Sequence, residues 1–151
     1  MSTKMSKNGI TFIEANHLTY ATTITNWLIE YQNENGNNIN KPMRESVDLR
    51  GIYAFCGDEL IGGLTFTTRY EWVFLDCGFV LPEYRNQGIY KDIMRSIERA
   101  ARKEGLCGVW VSTYEFEAPY IYESLGYTKG CILRNLPKGN TSIDYYKCFD
   151  L

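Results

Sequence analysis

At 151 residues, with 44% hydrophobic and 23% charged residues, the chain is long enough to bury a core and has ordinary globular proportions, which excludes fibrous and disordered classes. A formal net charge of −2 excludes a dedicated nucleic-acid binder, whose footprint would be strongly basic. No run of about eighteen apolar residues is present, so the sequence predicts no membrane-spanning helix. The stretch Met1 to Gly9 carries lysines but no apolar stretch of a signal peptide.

Cys56, Cys77, Cys107, Cys131 and Cys148 are odd in number and widely spaced, with no C-x-x-C pair. They read as buried free thiols of a reducing compartment, with neither a zinc site nor a disulfide frame. The expectation is therefore a cytoplasmic protein without a metal, a nucleic-acid partner or a membrane anchor.

In chain order, Ile10 to Glu14 reads as a short strand. A helix is predicted from His17 to Asn33, with Leu18, Ile24, Trp27, Leu28 and Tyr31 at helical spacing and Asn16 or Thr19 placed to cap it. The sole histidine, His17, stands near that helix start and apart from every candidate site. The asparagine-rich Asn33 to Pro42 is a polar loop, read either as a mobile connection or as a substrate-side lid. Ile52 to Cys56 and Leu60 to Arg69 are strands joined at Gly57-Asp58-Glu59, and Gly62-Gly63 marks a bulge or a close backbone approach.

A third strand, Trp72 to Leu81, follows a turn at Tyr70-Glu71. Strict alternation places Trp72, Phe74, Asp76, Gly78 and Val80 on one face, leaving Asp76 as a lone acid among apolar neighbours. Pro82 stops the strand, because it has no N–H to donate. From Ile89 a long amphipathic helix is expected, with Ile93, Met94, Ile97, Ala100 and Ala101 on its apolar stripe and Gly105 just past its end. Leu106 to Thr113 is a strand, Ala118 to Leu125 a short helix with Pro119 in its first turn, and Tyr127 to Leu133 and Ile143 to Phe149 are the last two strands. Without repeats or a linker, residues 1–151 read as a single domain of mixed α/β class with helices on both faces of the sheet.

The stretch between the third strand and the long helix carries the chemistry. From Glu83 to Glu104 six basic residues face four acids, and Arg85 and Lys91 flank a glycine-containing turn that opens the helix. Such a turn presents unpaired backbone N–H groups at the positive end of the helix dipole, which suits a phosphate. Neither the G-x-x-x-x-G-K-[ST] loop nor a G-x-G-x-x-G fingerprint is present. Taken alone, Arg85-Asn86-Gln87-Gly88-Ile89-Tyr90 is also compatible with an ordinary strand-to-helix turn.

That hexapeptide resembles [QR]-x-x-G-x-[GA], the pyrophosphate loop of the GNAT superfamily of N-acetyltransferases, matching at Arg85 and Gly88 and departing at Tyr90, where the pattern has a small residue. One helix and one strand later, Ala118 to Tyr127 resembles the family's A-x-x-x-Y-e-x-x-G-[FY] signature. The carboxy-terminal third is similar to a bacterial small-molecule subgroup with D-T-F-x-F-Q-A-x-x-F-Y-x-x-L-G-[FY] and P-x-G-H-x-x-Y-F-x-x-K segments, Asn140 standing where that subgroup has histidine. The resemblance runs from about Ile52 to the end of the chain. It implies a mostly antiparallel sheet of about six to seven strands whose central pair splays apart, acetyl-CoA as cosubstrate, a small-molecule primary amine as acceptor, and in many relatives a homodimer.

An amine attacking a thioester needs donors for the diphosphate, an N–H for the oxyanion and an acid for the leaving thiolate. The amides of Arg85, Asn86, Gln87, Gly88, Ile89, Tyr90 and Lys91 would supply the first. The resemblance implies that Phe79, Val80 and Leu81 line the pantetheine arm, with an N–H near Val80 aimed at the carbonyl oxygen, and that Tyr122 is the acid. Tyr122 is also readable as a core aromatic, being one of twelve tyrosines at helical spacing with apolar neighbours. Asp76 is the candidate base and equally a hydrogen-bonded structural carboxylate, with Glu71 and Glu115 behind it. Two other functions compete: a non-catalytic acyl-CoA-binding module, and a plain α/β domain whose Arg85 meets a partner's acidic patch.

Overall fold

The computed structural model describes residues 4–7, 10–16, 18–36 and 49–150. They fall into two compact units, residues 1–42 and 43–151. In the first, β1 (Lys4–Lys7) pairs antiparallel with β2 (Ile10–Ile13), and α1 runs from Leu18 to Asn35. The helix appears where its periodicity places it, but none of its residues is buried, and Leu18, Trp27 and Tyr31 are exposed. The carboxy-terminal part of the Asn33 to Pro42 loop, and with it the lid reading, lies outside the described residues, as does His17.

The second unit is a six-stranded sheet in the order β3-β4-β5-β6-β8-β7, flanked by helices. Its strands are β3 (Arg50–Cys56), β4 (Glu59–Arg69), β5 (Trp72–Val80), β6 (Gly108–Tyr114), β7 (Thr128–Arg134) and β8 (Thr141–Cys148). Every neighbouring pair is antiparallel except β5 and β6, which are parallel and joined through α2 (Ile89–Lys103). A parallel neighbour needs such a crossover, which is why the longest helix of this unit sits between these two strands.

The stripe of α2 buries Ile93, Met94, Ile97 and Ala101 against Leu64, Phe66, Val73 and Leu75 of β4 and β5 and against Val109 and Val111 of β6. Each large side chain so buried contributes about 1.5–3 kcal/mol. Gly105, at φ 72°, ends the helix, and the Leu106 N–H closes it on the Ala101 carbonyl at 2.9 Å. Two ties fix its axis. Arg50 grips Glu104 through both guanidinium nitrogens at 2.6 and 3.0 Å, and Lys147 on β8 donates to Glu98 at 3.1 Å and to the Leu125 carbonyl at 2.9 Å.

Three expectations change. Strict alternation on β5 fails, because Leu64 pairs with Gly78 while Phe66 pairs with Leu75, so Asp76 and Cys77 together oppose Thr65. This bulge puts Val73, Leu75, Gly78 and Val80 on the α2 side, and Asp76 does not share the face of Val80. The cysteines are free but not buried: Cys107 is half-buried and the other four are exposed. The short helix α3 spans only Tyr120–Ser124, since Glu115–Glu117 forms a 3₁₀ turn and Ala118 takes a left-handed φ of 58°.

Candidate active site

Strands β5 and β6 pair only at Trp72–Gly108, Val73–Val109 and Phe74–Trp110. Beyond these three pairs β5 follows β4 out to Val80, and β6 follows β8 out to Tyr114. The bulge at Asp76-Cys77 bends β5 just where the pairing stops. Two strand edges therefore face each other across a gap with their backbone groups unspent on one another, which is a template for an extended ligand. The Leu81 N–H is bonded to the Ile61 carbonyl at 2.9 Å, on the β4 side. By alternation the N–H and C=O of Val80 face the gap, where the C=O accepts from Arg85 Nε at 2.8 Å.

The gap opens into a cleft of about 1100 Å³, enough for a cofactor arm and a second small molecule. One wall is β5 from Leu75 to Val80, the other is β6 from Val111 to Thr113 together with Glu117 and α3, and the head is the turn at Arg85, Asn86 and Gly88 with Ile89, Tyr90 and Lys91. The first backbone bond of α2 runs from the Asp92 N–H to the Gly88 carbonyl at 3.0 Å, so the amides of Ile89, Tyr90 and Lys91 have no helical acceptor. Gly88, at φ 79°, has no side chain to cap them, and a Cβ built on it would meet nothing within 4 Å. The head of the cleft has the geometry that suits an anion, with Arg85 and Lys91 on its walls.

Tyr122, on α3, is also on the wall of this cleft. It is 6% exposed and packed among Tyr127 and Tyr145, yet it borders the cleft, and its Oη lies 2.7 Å from Tyr90 Oη. The Tyr122 ring belongs to the core, as the core reading expects, and the residue also borders the cleft. Burial raises its pKa above the ordinary tyrosine value, the Tyr90 hydrogen bond lowers it, and the charge of Glu117 raises it. The side chain of Tyr90 turns inward against Gly78 and Leu64.

Of the other expected residues, Asp76, Phe79 and Val80 line the cleft, while Leu81 and Gln87 do not. Gln87 reaches back to the Glu83 carbonyl at 3.4 Å. Asp76 is exposed, with Thr65 Oγ1 at 3.4 Å from its Oδ2. Glu71 and Glu115 are not on the wall, but Glu117 is. Its Oε2 accepts from Thr113 Oγ1 at 2.8 Å and from the Tyr114 N–H at 3.0 Å. The sequence hides Glu117 because its capping box starts at a tyrosine, where that pattern normally has serine or threonine. Among the described residues no group of three or more His, Cys, Asp or Glu is placed to hold a metal ion, and no helix is long and apolar enough to cross a membrane.

Residues 15–127 match the model of the acetyltransferase (GNAT) family. The chain belongs to that family. The matched span holds both edges of the splayed pair, the turn at Gly88 and Tyr122. This GNAT chain is 33% identical over 99 residues to blasticidin-S acetyltransferase of Streptomyces morookaense, covering 64% of itself and 72% of that protein. An acetyltransferase from Bacillus cereus superposes with a TM-score of 0.69 at 21% identity, over 91% of this chain and 97% of that one. The PaiA N-acetyltransferase of Thermoplasma acidophilum, solved in complex with coenzyme A, superposes at 0.58 with 15% identity, over 85% of this chain and 70% of that one. These two likenesses concern the fold alone.

Proposed function

We propose that the chain transfers an acetyl group from acetyl-CoA to a primary amine of a small molecule, by direct attack of the amine on the thioester, and that residues 1–151 work as one catalytic domain in the reducing cytoplasm. The observation that carries this reading is the cleft itself, with amides that have no helical acceptor at its head, open strand edges along its length and Tyr122 on its wall. The diphosphate would sit at the Gly88 turn, held by the amides from Gly88 to Lys91 and by Arg85. The pantetheine arm would take the place of the missing ladder between β5 and β6, and the Val80 N–H would face the developing oxyanion. Tyr122 would give its proton to the leaving sulfur.

The amine must arrive neutral. Asp76 is the proposed base and Glu117 the second carboxylate of the cleft, each able to take the ammonium proton directly or through water. Two carboxylates on the cleft wall also favour a cationic acceptor, and the likeness to blasticidin-S acetyltransferase makes blasticidin S the first acceptor to try.

The test is release of free thiol from acetyl-CoA in the presence of a panel of amines, blasticidin S and simple diamines among them. Turnover that falls about a hundredfold in Tyr122→Phe, with the KM for acetyl-CoA within about twofold, is expected. Tight binding of coenzyme A without turnover on any amine would make the chain an acyl-CoA-binding module instead. No rise in Tm at coenzyme A concentrations far above micromolar would remove the cofactor site altogether.

A further inference from the structure

Tyr90 stands where the family's loop carries a small residue, and its phenol does not waste the space. It is the second residue of α2, and its side chain leaves the anion-binding turn to lie beneath β5. There Gly78 makes room for it. A Cβ on Gly78 would come within 2.8 Å of Tyr90 Cε2, 2.9 Å of its Oη and 2.8 Å of Leu64 Cδ1. Real Cβ atoms do not tolerate such approaches, so the bare backbone at 78 and the phenol at 90 fit as a pair. The Tyr90 and Tyr122 rings meet edge to face at 77°, with centroids 6.2 Å apart. A phenylalanine would supply that contact equally well. What the hydroxyl adds is the 2.7 Å bond to Tyr122 Oη.

We propose that Tyr90 is a positioning residue for the acid: its O–H donates to Tyr122 Oη, turns the Tyr122 proton toward the cleft, and steadies the phenolate left after that proton has gone. The proposal rests on the reading of Tyr122 as the acid. Each phenol has one hydrogen to give. If Tyr122 spent its own on Tyr90, none would remain for the sulfur, so the productive arrangement has Tyr90 as donor. Burial first, and then the charge of Tyr122 and the bond to it, raise the pKa of Tyr90, so its hydroxyl keeps a proton to donate.

In the step itself the amine nitrogen bonds to the carbonyl carbon and the C–S bond breaks, its electron pair going to sulfur. The Tyr122 O–H bond breaks, an S–H bond forms, and the charge stays on Tyr122 Oη under the Tyr90 hydrogen bond. The phenolate regains a proton from water, equal to the one the amine has shed.

A double-mutant cycle tests this, with the amine that the thiol-release panel selects, or with water as the slow acceptor. Tyr90→Phe keeps the ring and its packing, and Tm measurements confirm folding of each variant. Expected are a loss in kcat of about tenfold for Tyr90→Phe with the KM for acetyl-CoA within about twofold, and no further loss when Tyr90→Phe is added to Tyr122→Phe. Losses that multiply in the double variant would overturn the proposal, since Tyr90 would then act elsewhere than through Tyr122. Full kcat in Tyr90→Phe, beside a loss in Tyr122→Phe, would overturn it alone and leave the acid in place. Full kcat in Tyr122→Phe would overturn the acid and, with it, the role given to Tyr90.

Discussion

A phenol is an awkward acid for a thiolate, since its ordinary pKa near 10 lies above that of a thiol near 8.5. As the proposed acid, Tyr122 would meet the difficulty through its surroundings. Burial and the charge of Glu117 push it up, and the Tyr90 hydroxyl pulls it back. Because the net direction is upward, the proton is held through neutral and mildly alkaline solution. The sign of the pH dependence follows. The acid must carry its proton to react, so kcat rises as the amine loses its own proton and shows no falling limb below about pH 10. A limb that falls between pH 8 and 9 in the pH–rate profile, on the order of an ordinary thiol, would move the acid to another group. Asp76 shows the limit of reading single residues. Its presence on β5 was legible, but the face it occupies was not, because the bulge at Asp76-Cys77 resets the alternation from there to Val80.

At the scale of elements, the start of α2 is decided by Gly88, whose φ of 79° is strained for any side chain. Among the described residues nothing fills the space beside it, so the room is left for a ligand that the helix amides can hold. Gly88→Val is expected to raise the Kd for coenzyme A at least about tenfold, through strain of about 1–3 kcal/mol in the turn and loss of close approach. Isothermal titration checks it, and unchanged affinity would show that the diphosphate sits elsewhere. Both motifs around this helix were visible, because an anion-binding turn and a short helix with its stop glycine depend on local backbone chemistry. The length of the splay was not visible. It depends on β6 preferring β8 along its whole length, a partner about thirty residues away in sequence, and such competition between long-range partners leaves no local trace.

Among the described residues the core buries the phenols of Tyr122, Tyr127 and Tyr145, with Tyr90 half-buried against it. All four have pKa values raised, chiefly by burial. A raised folded-state pKa contributes stability that is fully present below the unfolded value and is lost as pH climbs past it. The unfolded chain ionises its tyrosines near pH 10, so Tm is expected to hold through neutral pH and to fall above about pH 10. Calorimetry across that range checks it, and a Tm unchanged to about pH 11 would mean that these hydroxyls reach solvent.

By itself the sequence determined the class of fold and the family, and it pointed to the turn at Gly88 and to Tyr122 as candidates, since each is written in short-range patterns of apolar spacing, glycine and proline. It misjudged the cysteines, because their exposure depends on where each strand ends and which neighbours cover it. Only the tertiary structure brought Tyr90 to Tyr122 across thirty-two residues, put Glu117 on the cleft wall and turned Asp76 away from Val80. The reason is that a side chain's partner across a gap is set by the register and curvature of the sheet, and these arise only when distant strands compete for the same edges.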